Sequence, residues 1–538
     1  MMNMNAYDTR SSYFGSSRFA TEKEFIDQLQ AVDMTDAHIT ASGLPLMSDG
    51  RTAYLCSDED HNFIMGQTGS GKSRRLSLPM LLTIAKAGKN SVVVTDVKGE
   101  LYRYTSGLFS ANGYKVLVIN LRDPKHSHGW SLLHRAAELT KQGQQDCSTE
   151  LLADFATVMH PDGGKSTKID PFWSQTSRQL TMGVTGLICE YPEAFPEFDL
   201  WTLQQLVDTL DDDSYDSTTA LDLAKQLPID SVARNSLINT VLGSDKTLCN
   251  ILVSYAAGMS KLYTSKPLTQ MLSTPDITDF SCIGRGKTIL YIILPDEKTT
   301  LHGIASLIIN QCYTDMIQYA CSCKNERLPV HVDFLLDEFS NLPAIPDMAA
   351  KISASRSRNI SFSIIVQGLN QLESKYGATD AATIMGNCTN WIFLTSREYA
   401  LLDQLSKLCG INYRTNQPLI STSQLQRLDQ TTGEALVLCR RLYPYVTHLA
   451  DLSAYSCDLP PTTEFPTLPP HIAREVDLSY AEQYLKRLRS QAKTTNSSHP
   501  VVSPHATNSE KENDEFDLQK VLEERFDKLF GDNKRKSS

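Results

Sequence analysis

The stretch Gly66-Gln67-Thr68-Gly69-Ser70-Gly71-Lys72-Ser73 decides the fold class of this chain. It fits the pattern GxxxxGKS/T and directly follows an apolar run, residues 63–65, that can end a buried strand. Glycines let the backbone wrap an anion, and successive N–H groups before a helix supply positive potential. We expect Lys72 to reach the outer phosphates of a nucleotide and Ser73 to place its hydroxyl on Mg²⁺. The alternative is a Gly-rich turn before a helix, although a chance match has a probability on the order of a few per cent.

Length and composition limit the possible classes of protein. The chain has 538 residues, 41% of them hydrophobic, which is enough for two or three globular domains. The formal net charge of −11 excludes a uniformly basic surface, so any nucleic-acid contact must come from a local basic lining. Twelve cysteines without a CxxC pair indicate reduced thiols in a cytosolic protein. The longest apolar run, residues 289–294, is far shorter than the roughly 20 residues of a bilayer span, so we expect a soluble chain that a partner would hold at any membrane.

Apolar strands alternate with helical patterns on both sides of a long helical interval. This alternation indicates an α/β fold with a mainly parallel sheet that helices cover on both faces. The predicted strands are 91–96, 116–120, 288–294, 332–336, 360–366, 391–394 and 435–438. The predicted helices outside the interval are 22–32, 71–87, 301–319 and 478–489.

Breaks in these patterns predict five segments. They are a flexible N-terminal arm with a short helix (1–40), the first part of a P-loop NTPase core (41–130), an all-α insertion (131–285), the second part of the core (286–460) and a C-terminal segment (461–538). The last segment is Pro-rich at first and then becomes a Ser, Thr, Asn and Pro stretch that cannot bury a core, which predicts a disordered linker. An apolar stripe from Phe516 to Phe530 predicts a final amphipathic helix that forms against a partner or its own body, with a fraying tail as the alternative.

Two adjacent carboxylates, Asp337 and Glu338, follow the predicted strand 332–336. They lie at the carboxyl end of that strand, the edge at which open α/β sheets bind ligands. We expect Asp337 to hold Mg²⁺ together with Ser73, and Glu338 to orient and deprotonate the attacking water. Apolar strands that end in Asp-Glu are common, so this interpretation depends on its combination with the phosphate loop.

Other polar residues follow neighbouring strands. Asp96, Lys98 and Glu100 are expected near the same edge, where they would support the metal from behind or link the site to moving parts. A capped helix start is the alternative for Glu100. Gln367 ends another strand and could sense the outer phosphate or help to place the water, although polar strand ends are ordinary.

Two arginines, Arg356 and Arg358, lie in the loop before the strand 360–366. One of them, presented to the nucleotide of a neighbouring subunit, would stabilise charge on the transferred phosphoryl group. A solvated basic loop is the alternative.

At these motifs the chain resembles the type IV secretion coupling proteins, the TraG-like conjugative DNA-transfer ATPases. The resemblance covers roughly residues 42–452. Its motifs are Gly43-Leu44-Pro45-Leu46, His61, the phosphate loop, DVKGEL at 96–101, DPFW at 170–173, FLLDEFSNLP at 334–343, SRSRNIS at 355–361, VQGLNQLESKYG at 366–377 and Asn387-Cys388.

The resemblance implies a RecA-like motor that assembles as a homo-hexamer and uses ATP and Mg²⁺. It further implies a relaxase–DNA complex, single- or double-stranded DNA and type IV secretion channel subunits as partners. By position, it assigns phosphate and metal binding to Lys72 and Ser73, metal and water to Asp337 and Glu338, the sensor to Gln367, and the trans finger to Arg356 or Arg358.

The chain departs from the family pattern in two places. Many members begin with membrane-spanning helices that are not seen here, so we expect a cytoplasmic protein that a separate membrane-anchor subunit recruits to the inner face of the membrane. Val97 stands where the family often has Pro, a change that we expect to be tolerated. A DNA-lined pore would need local basic residues, for which Lys165, Lys168 and Arg178 are candidates, with simple solvation as the alternative.

Two other functions are compatible with these residues. One is an ATPase that passes protein rather than DNA substrates into a secretion channel. The other is an adaptor whose nucleotide site only switches conformation while the helical insertion and the acidic tail hold cargo. The presence of Lys72, Asp337 and Glu338 favours turnover over the adaptor.

Overall fold

The computed structural model describes residues 17–56, 59–162, 171–210, 219–241, 245–412, 415–455, 459–470 and 475–496. The predicted arm up to residue 16, the candidate DNA contacts Lys165 and Lys168, and the predicted linker and tail helix beyond residue 496 lie outside these ranges. Met1–Arg487 form one compact unit, and Leu488–Ser538 form a second, of which only the end of one helix is described.

A nine-stranded sheet forms the centre of the first unit, and two small antiparallel sheets accompany it. The strands are β1 (Gln30–Asp33), β2 (Pro45–Ser48), β3 (Thr52–Leu55), β4 (Asn62–Gly66), β5 (Ser91–Val97), β6 (Lys115–Asn120), β7 (Thr288–Leu294), β8 (Val332–Leu336), β9 (Ile360–Val366), β10 (Asn390–Thr395), β11 (Ile411–Asn412), β12 (Gln417–Pro418), β13 (Glu434–Cys439) and β14 (Tyr445–His448). The order in the large sheet is β14-β13-β10-β4-β9-β8-β5-β7-β6. From β10 to β6 all neighbours are parallel, and β13 and β14 add an antiparallel edge.

The helices cover this sheet and fill the long interval between β6 and β7. They are α1 (Glu22–Ile26), α2 (Leu78–Ala87), α3 (Glu100–Ala111), α4 (Leu132–Lys141), α5 (Gln145–Met159), α6 (Pro171–Glu190), α7 (Leu200–Asp208), α8 (Ala220–Gln226), α9 (Val232–Val241), α10 (Asp245–Met259), α11 (Lys266–Ser273), α12 (Ser281–Arg285), α13 (His302–Ser322), α14 (Met348–Ser355), α15 (Leu369–Asn387), α16 (Tyr399–Cys409), α17 (Thr422–Leu425) and α18 (Leu478–Asn496). In the described part of 131–285 the regular elements are all helical, and the division of the chain into domains stays a prediction.

The central strands are buried along their whole length. Every residue of β4, β7, β8 and β9 is buried, as expected for parallel strands that have helices on both faces. The predicted strands 288–294, 332–336 and 360–366 are confirmed at their bounds, and the other four are confirmed with one or two additional residues. Parallel strands end at one common edge, so the segments after β4, β5, β8 and β9 meet there.

The predicted helix over residues 22–32 is wrong beyond Ile26. Thr21 caps α1 together with Glu24, but the chain then turns, and Gln30–Asp33 pair with β3 as a strand. Pairing with a distant strand therefore overrides the local helical pattern. The strands β2, β3 and β14 and the β11–β12 pair were not predicted.

The Pro-rich segment after β14 packs against α3. The Tyr102 ring stacks on Phe465 with ring centroids 4.4 Å apart, and its hydroxyl donates to the Thr463 carbonyl at 2.9 Å. Thr463 N in turn donates to Ser106 Oγ at 3.1 Å. This part of the predicted C-terminal segment therefore adds to the core unit.

Two further observations concern the described part of the chain. None of its helices has the length and apolar character that crossing a membrane requires. Its eleven cysteines are free thiols.

Candidate nucleotide-binding site

The phosphate loop leaves β4 at Gly66 and has the shape of an anion cradle. Gly69 and Gly71 adopt φ angles of +81° and +85°, which residues with side chains rarely adopt. A Cβ on Gly66 would lie 2.6 Å from Ser70 Oγ, so the loop closes tightly on its strand. The buried Ser70 hydroxyl has no hydrogen-bond partner within the described residues. This cradle and its unpaired donor fit the phosphates of a nucleotide.

Neighbouring elements hold the loop in place. Gln67 N donates to the Thr395 carbonyl at the end of β10, at 3.1 Å. After the loop, Ser73–Ser77 form one π-helical turn that continues into α2. In that turn Arg75 donates to the Leu449 carbonyl at 2.5 Å, which fastens the start of the helix to the segment after β14.

Lys72 points back toward the strands from the end of the loop. Its side chain is 6% exposed, and Nζ donates to the Gly66 carbonyl at 2.6 Å. The same nitrogen lies 3.7 Å from Glu338 Oε1. The structure therefore brings the loop lysine together with one of the two carboxylates that follow β8.

The adjacent acids lie in different environments. Thr95 Oγ1 on β5 donates to the Asp337 carbonyl at 2.9 Å, and the Asp337 side chain is buried. Burial, followed by repulsion from Glu338, raises the pKa of Asp337 to about 7, although Lys72 acts in the opposite direction. Glu338 has a left-handed backbone, with φ 52° and ψ 39°, which is a strained conformation for a residue with a side chain.

The Glu338 carboxylate accepts hydrogen bonds from two amide side chains. Gln367 Nε2, at the end of β9, donates to Oε2 at 2.6 Å. Asn341 Nδ2, three residues after Glu338, donates to the same oxygen at 3.0 Å. Gln367 was predicted as a site residue from its position after a strand, whereas Asn341 was not predicted. An amide three residues after an acidic pair is the only local signal that could have pointed to it.

Asp96 lies behind the acidic pair, at the end of β5. Its Oδ2 accepts from Tyr102 N at the start of α3, at 2.7 Å, while Oδ1 is buried without a hydrogen-bond partner in the described residues. Burial raises the pKa of Asp96 to about 6, although hydrogen bonds from α3 oppose it, and its charge contributes to the raised pKa of Asp337. Asp96 is therefore placed to influence the charge of the site.

Lys98 and Glu100 lie at the same edge of the sheet but line a separate open cleft of about 570 Å³. Lys98 Nζ is 3.7 Å from Asp296 Oδ2, an exposed pair. Within this chain the contacts of Lys98 therefore lead away from Asp337.

The two arginines lie at the opposite edge of the sheet, before β9 begins. Arg356 Nη2 is 3.6 Å from the buried Asp60 Oδ1, and Arg358 is paired with Glu326. A strand of this length spans roughly 20 Å, so neither arginine reaches the phosphate loop of its own chain. Their trans role stays a prediction.

The oxygen atoms of the site suit a magnesium ion. This ion prefers oxygen ligands and is commonly bound through one or two carboxylates, with water and substrate phosphates as further ligands. Ser73 and Asp337 supply such oxygens, and the pKa of Asp337, raised first by burial and then by repulsion from Glu338, belongs to a carboxylate whose ionised form a bound cation would stabilise. The donor set therefore fits Mg²⁺.

The third candidate DNA contact, Arg178 on α6, is engaged within the protein. Its Nε donates to the His160 carbonyl at 2.8 Å, and Nη2 lies 3.0 Å from Asp162 Oδ1. Its guanidinium also holds the end of α5 against α6.

The chain is similar to known proteins of one family. A family model described as "Type IV secretory system Conjugative DNA transfer" matches residues 9–434. Protein VirD4 of Agrobacterium fabrum (strain C58) is 24% identical over 384 residues, which are 70% of this chain and 53% of the relative. The conjugal transfer protein TraG of Escherichia coli is 23% identical over 377 residues, which are 67% of this chain and 57% of the relative. The chain thus spans little more than half the length of these curated relatives.

Solved structures of the plasmid coupling protein TrwB share the fold. The complex with the ATP analogue ADPNP has a TM-score of 0.57 at 15% identity and covers 85% of this chain and 95% of TrwB. The complex with ADP and Mg²⁺ has a TM-score of 0.56 at 15% identity, and the match covers 85% of this chain and 96% of TrwB. The predicted fold class, a RecA-like P-loop core with a mainly parallel sheet and additional helices, is confirmed.

Proposed function

The chain belongs to the type IV secretory system conjugative DNA transfer family, and from this premise we propose that it is an ATP-hydrolysing coupling protein. It would recruit a relaxase–DNA complex and drive or license the transfer of that complex through a type IV secretion channel. The observation that carries the proposal is the convergence of Lys72, Asp337, Glu338 and Gln367 at the phosphate loop. These residues supply a phosphate ligand, a metal ligand and a base at one edge of the sheet.

Each residue has a defined task in hydrolysis. The loop amides and Lys72 bind the phosphates of ATP, and Lys72 would leave the Gly66 carbonyl to do so. Ser73 and Asp337 would hold Mg²⁺, which when bound would neutralise part of the phosphate charge. Glu338 takes a proton from the attacking water, while Gln367 holds the other oxygen of its carboxylate. That TrwB was solved with ADPNP and with ADP and Mg²⁺ supports these ligands.

The wider assembly follows from the same premise. We propose a homo-hexamer in which Arg356 or Arg358 acts on the nucleotide of a neighbour, because neither reaches the loop of its own chain. A separate membrane-anchor subunit would recruit the cytoplasmic protein to the inner face of the membrane. Since the net charge is −11, DNA would be bound by a local basic lining, for which Lys165 and Lys168 are candidates, whereas Arg178 would first have to leave His160 and Asp162.

Stimulation of ATP hydrolysis by DNA tests this function. Phosphate release is measured with no cargo, with single-stranded DNA, with double-stranded DNA and with a relaxase–DNA complex, over a range of salt concentrations. The proposal predicts stimulation by DNA that weakens steeply as salt rises, because phosphate contacts release counterions. Glu338→Gln is the control, since it removes the base but keeps the size of the side chain.

Other outcomes would replace the proposal. Hydrolysis that a protein cargo stimulates and DNA does not would indicate a protein-secretion ATPase. Nucleotide binding with no hydrolysis under any of these conditions would indicate an adaptor that nucleotide only switches.

A further inference from the structure

Glu338 is held at two points by a single residue, Asn341. The Asn341 side-chain amide donates to Glu338 Oε2 at 3.0 Å, and the Asn341 backbone N–H donates to the Glu338 carbonyl at 2.8 Å. The backbone bond closes a turn around the left-handed conformation of Glu338. One residue therefore fixes both the strained backbone and the carboxylate of the acid.

The direction of the carboxylate follows from these contacts. Oε2 already accepts from Asn341 and Gln367, so its lone pairs are engaged. The other oxygen, Oε1, lies 3.7 Å from Lys72 Nζ and faces the phosphate loop. Without Asn341, the carboxylate would keep one amide and could rotate about its last bond, so Oε1 would lose its fixed direction.

We propose that Asn341 is a positioning residue that directs Glu338 Oε1 toward the attacking water. This inference rests on the proposed ATPase function, because it assigns a role in the same reaction. Asn341 does not contact the phosphates in this role and acts only through Glu338. A base must be within hydrogen-bond reach of the proton that it takes, so a small rotation of Glu338 reduces the rate without reducing nucleotide binding.

Asn341 is itself attached to α13. His302 Nδ1, in the first turn of that helix, lies 3.3 Å from the Asn341 carbonyl, and one turn later Ser306 Oγ donates to the Pro343 carbonyl at 2.9 Å. Another turn along, Asn310 donates to Asp154 on α5 at 2.6 Å. The helix that supports Asn341 therefore also contacts the helical interval. A shift of α13 against the sheet would move Asn341 and, through it, Glu338.

The test compares single-turnover and steady-state hydrolysis in wild type, Asn341→Ala and Asn341→Asp. For Asn341→Ala we expect kcat to fall roughly 10- to 100-fold. This loss is smaller than the full rate enhancement by a general base, which is roughly 10²- to 10⁴-fold, because Glu338 is still present. The KM for ATP and the affinity for a non-hydrolysed analogue stay within about twofold of wild type. Asn341→Asp keeps the shape but puts a carboxylate beside Glu338, so its kcat falls at least as far.

A double variant separates positioning from general structural damage. Because Asn341 acts through Glu338, adding Asn341→Ala to Glu338→Gln causes no further loss in single-turnover rate. The matched control is Asn235→Ala on α9, which removes an exposed amide that donates to the Ile229 carbonyl at 3.1 Å and leaves kcat unchanged.

The outcomes for the two claims are distinct. A wild-type protein that releases no phosphate contradicts the proposed function. An active wild type with unchanged kcat in both Asn341 variants overturns the positioning role. Equal losses from Asn341→Ala in the wild-type background and in the Glu338→Gln background also overturn it, because the effect would then not pass through the acid.

Discussion

Gly66 is the residue at which the phosphate loop leaves its strand, and its Cα lies close to two side chains of the loop. A Cβ there would lie 2.6 Å from Ser70 Oγ and 3.4 Å from the Lys72 side chain, so Gly66→Ala must shift the Ser70 hydroxyl and press on the loop lysine. We expect a loss of ATP affinity of roughly tenfold or more, equivalent to about 1.4 kcal/mol, with the fold retained. Titration with a fluorescent ATP analogue measures the nucleotide affinity of the variant and of wild type. Gly386→Ala is the control, because a Cβ there meets nothing within 4 Å, and unchanged affinity in both variants would contradict the described loop.

The proposed role of Asp337 as a metal ligand predicts that the binding of magnesium-nucleotide depends on pH. Its pKa is raised to about 7 from an ordinary value of 3.8, whereas metal binding requires the ionised form. Affinity should therefore rise with pH up to about pH 7 and level off above it, and binding at pH 6.5 should release protons. Calorimetry in two buffers of different ionisation enthalpy measures this release.

The raised pKa of Asp337 also makes the stability of the unliganded fold depend on pH. Between about pH 4 and pH 7 the folded protein keeps a proton on Asp337 that the unfolded chain has lost, so this group destabilises the unliganded fold as pH rises. Asp337→Asn should remove both effects. Proton release by that variant equal to wild type would assign the titration to another group.

At the scale of residues, local spacing predicted some of the site but not all. Glycines and a lysine within eight residues identify the phosphate loop, and two acids after a strand are visible because the chemistry is contiguous in sequence. The role of Asn341 depends on the left-handed turn at Glu338, and no residue type in the local sequence predicts that turn. The cleft beside Lys98 is lined by residues at or after the ends of β5, β6 and β7 together with Phe465, which are far apart in sequence, so local spacing could not reveal it.

At the scale of elements, α3 has a close contact with the Pro-rich segment at Gly107. A Cβ at Gly107 would lie 2.8 Å from the Pro460 carbonyl and would also collide with the carbonyl of Pro461. Gly107→Val should therefore detach the segment from α3, break the contacts of Tyr102 with Thr463 and Phe465, and lower Tm by several degrees. Limited proteolysis should then cut residues 459–470 faster.

The control for this element is Ala111→Ser at an exposed position on the same helix. It should leave both Tm and the proteolysis rate unchanged. Equal protection of the segment in Gly107→Val and wild type would show that α3 does not hold it.

The elements also show where sequence patterns succeed and fail. Buried parallel strands such as β8 and β9 are short runs of mainly apolar residues, interrupted by Asp333, Ser361 and Ser363, so their bounds could be predicted from the local sequence. The short antiparallel strands β1, β2 and β3 are four residues each and partly exposed. Their strand state comes from pairing with one another, and this information is not local. That is why a helix was predicted where β1 lies.

At the scale of the whole molecule, the arginines before β9 predict that one chain completes the site of another. Wild type mixed with Arg356→Ala, and separately with Arg358→Ala, should show less ATPase activity than the average of the two components, because a mixed ring contains defective sites. Arg51 is an exposed arginine in the turn between β2 and β3, so mixtures of wild type with Arg51→Ala should show the average ATPase activity of the two components. Additive mixing of both test variants would contradict a trans arginine.

ATP cleavage at the phosphate loop is tested most directly by measuring phosphate release by purified protein with saturating ATP and Mg²⁺, over a range of protein concentrations. Release by wild type should rise steeply per chain as the protein assembles. Glu338→Gln should bind nucleotide as tightly as wild type but release at least roughly 100-fold less phosphate. No release by assembled wild type, or equal release by the variant, would contradict the claim that these acids and the phosphate loop form an ATP-cleaving site.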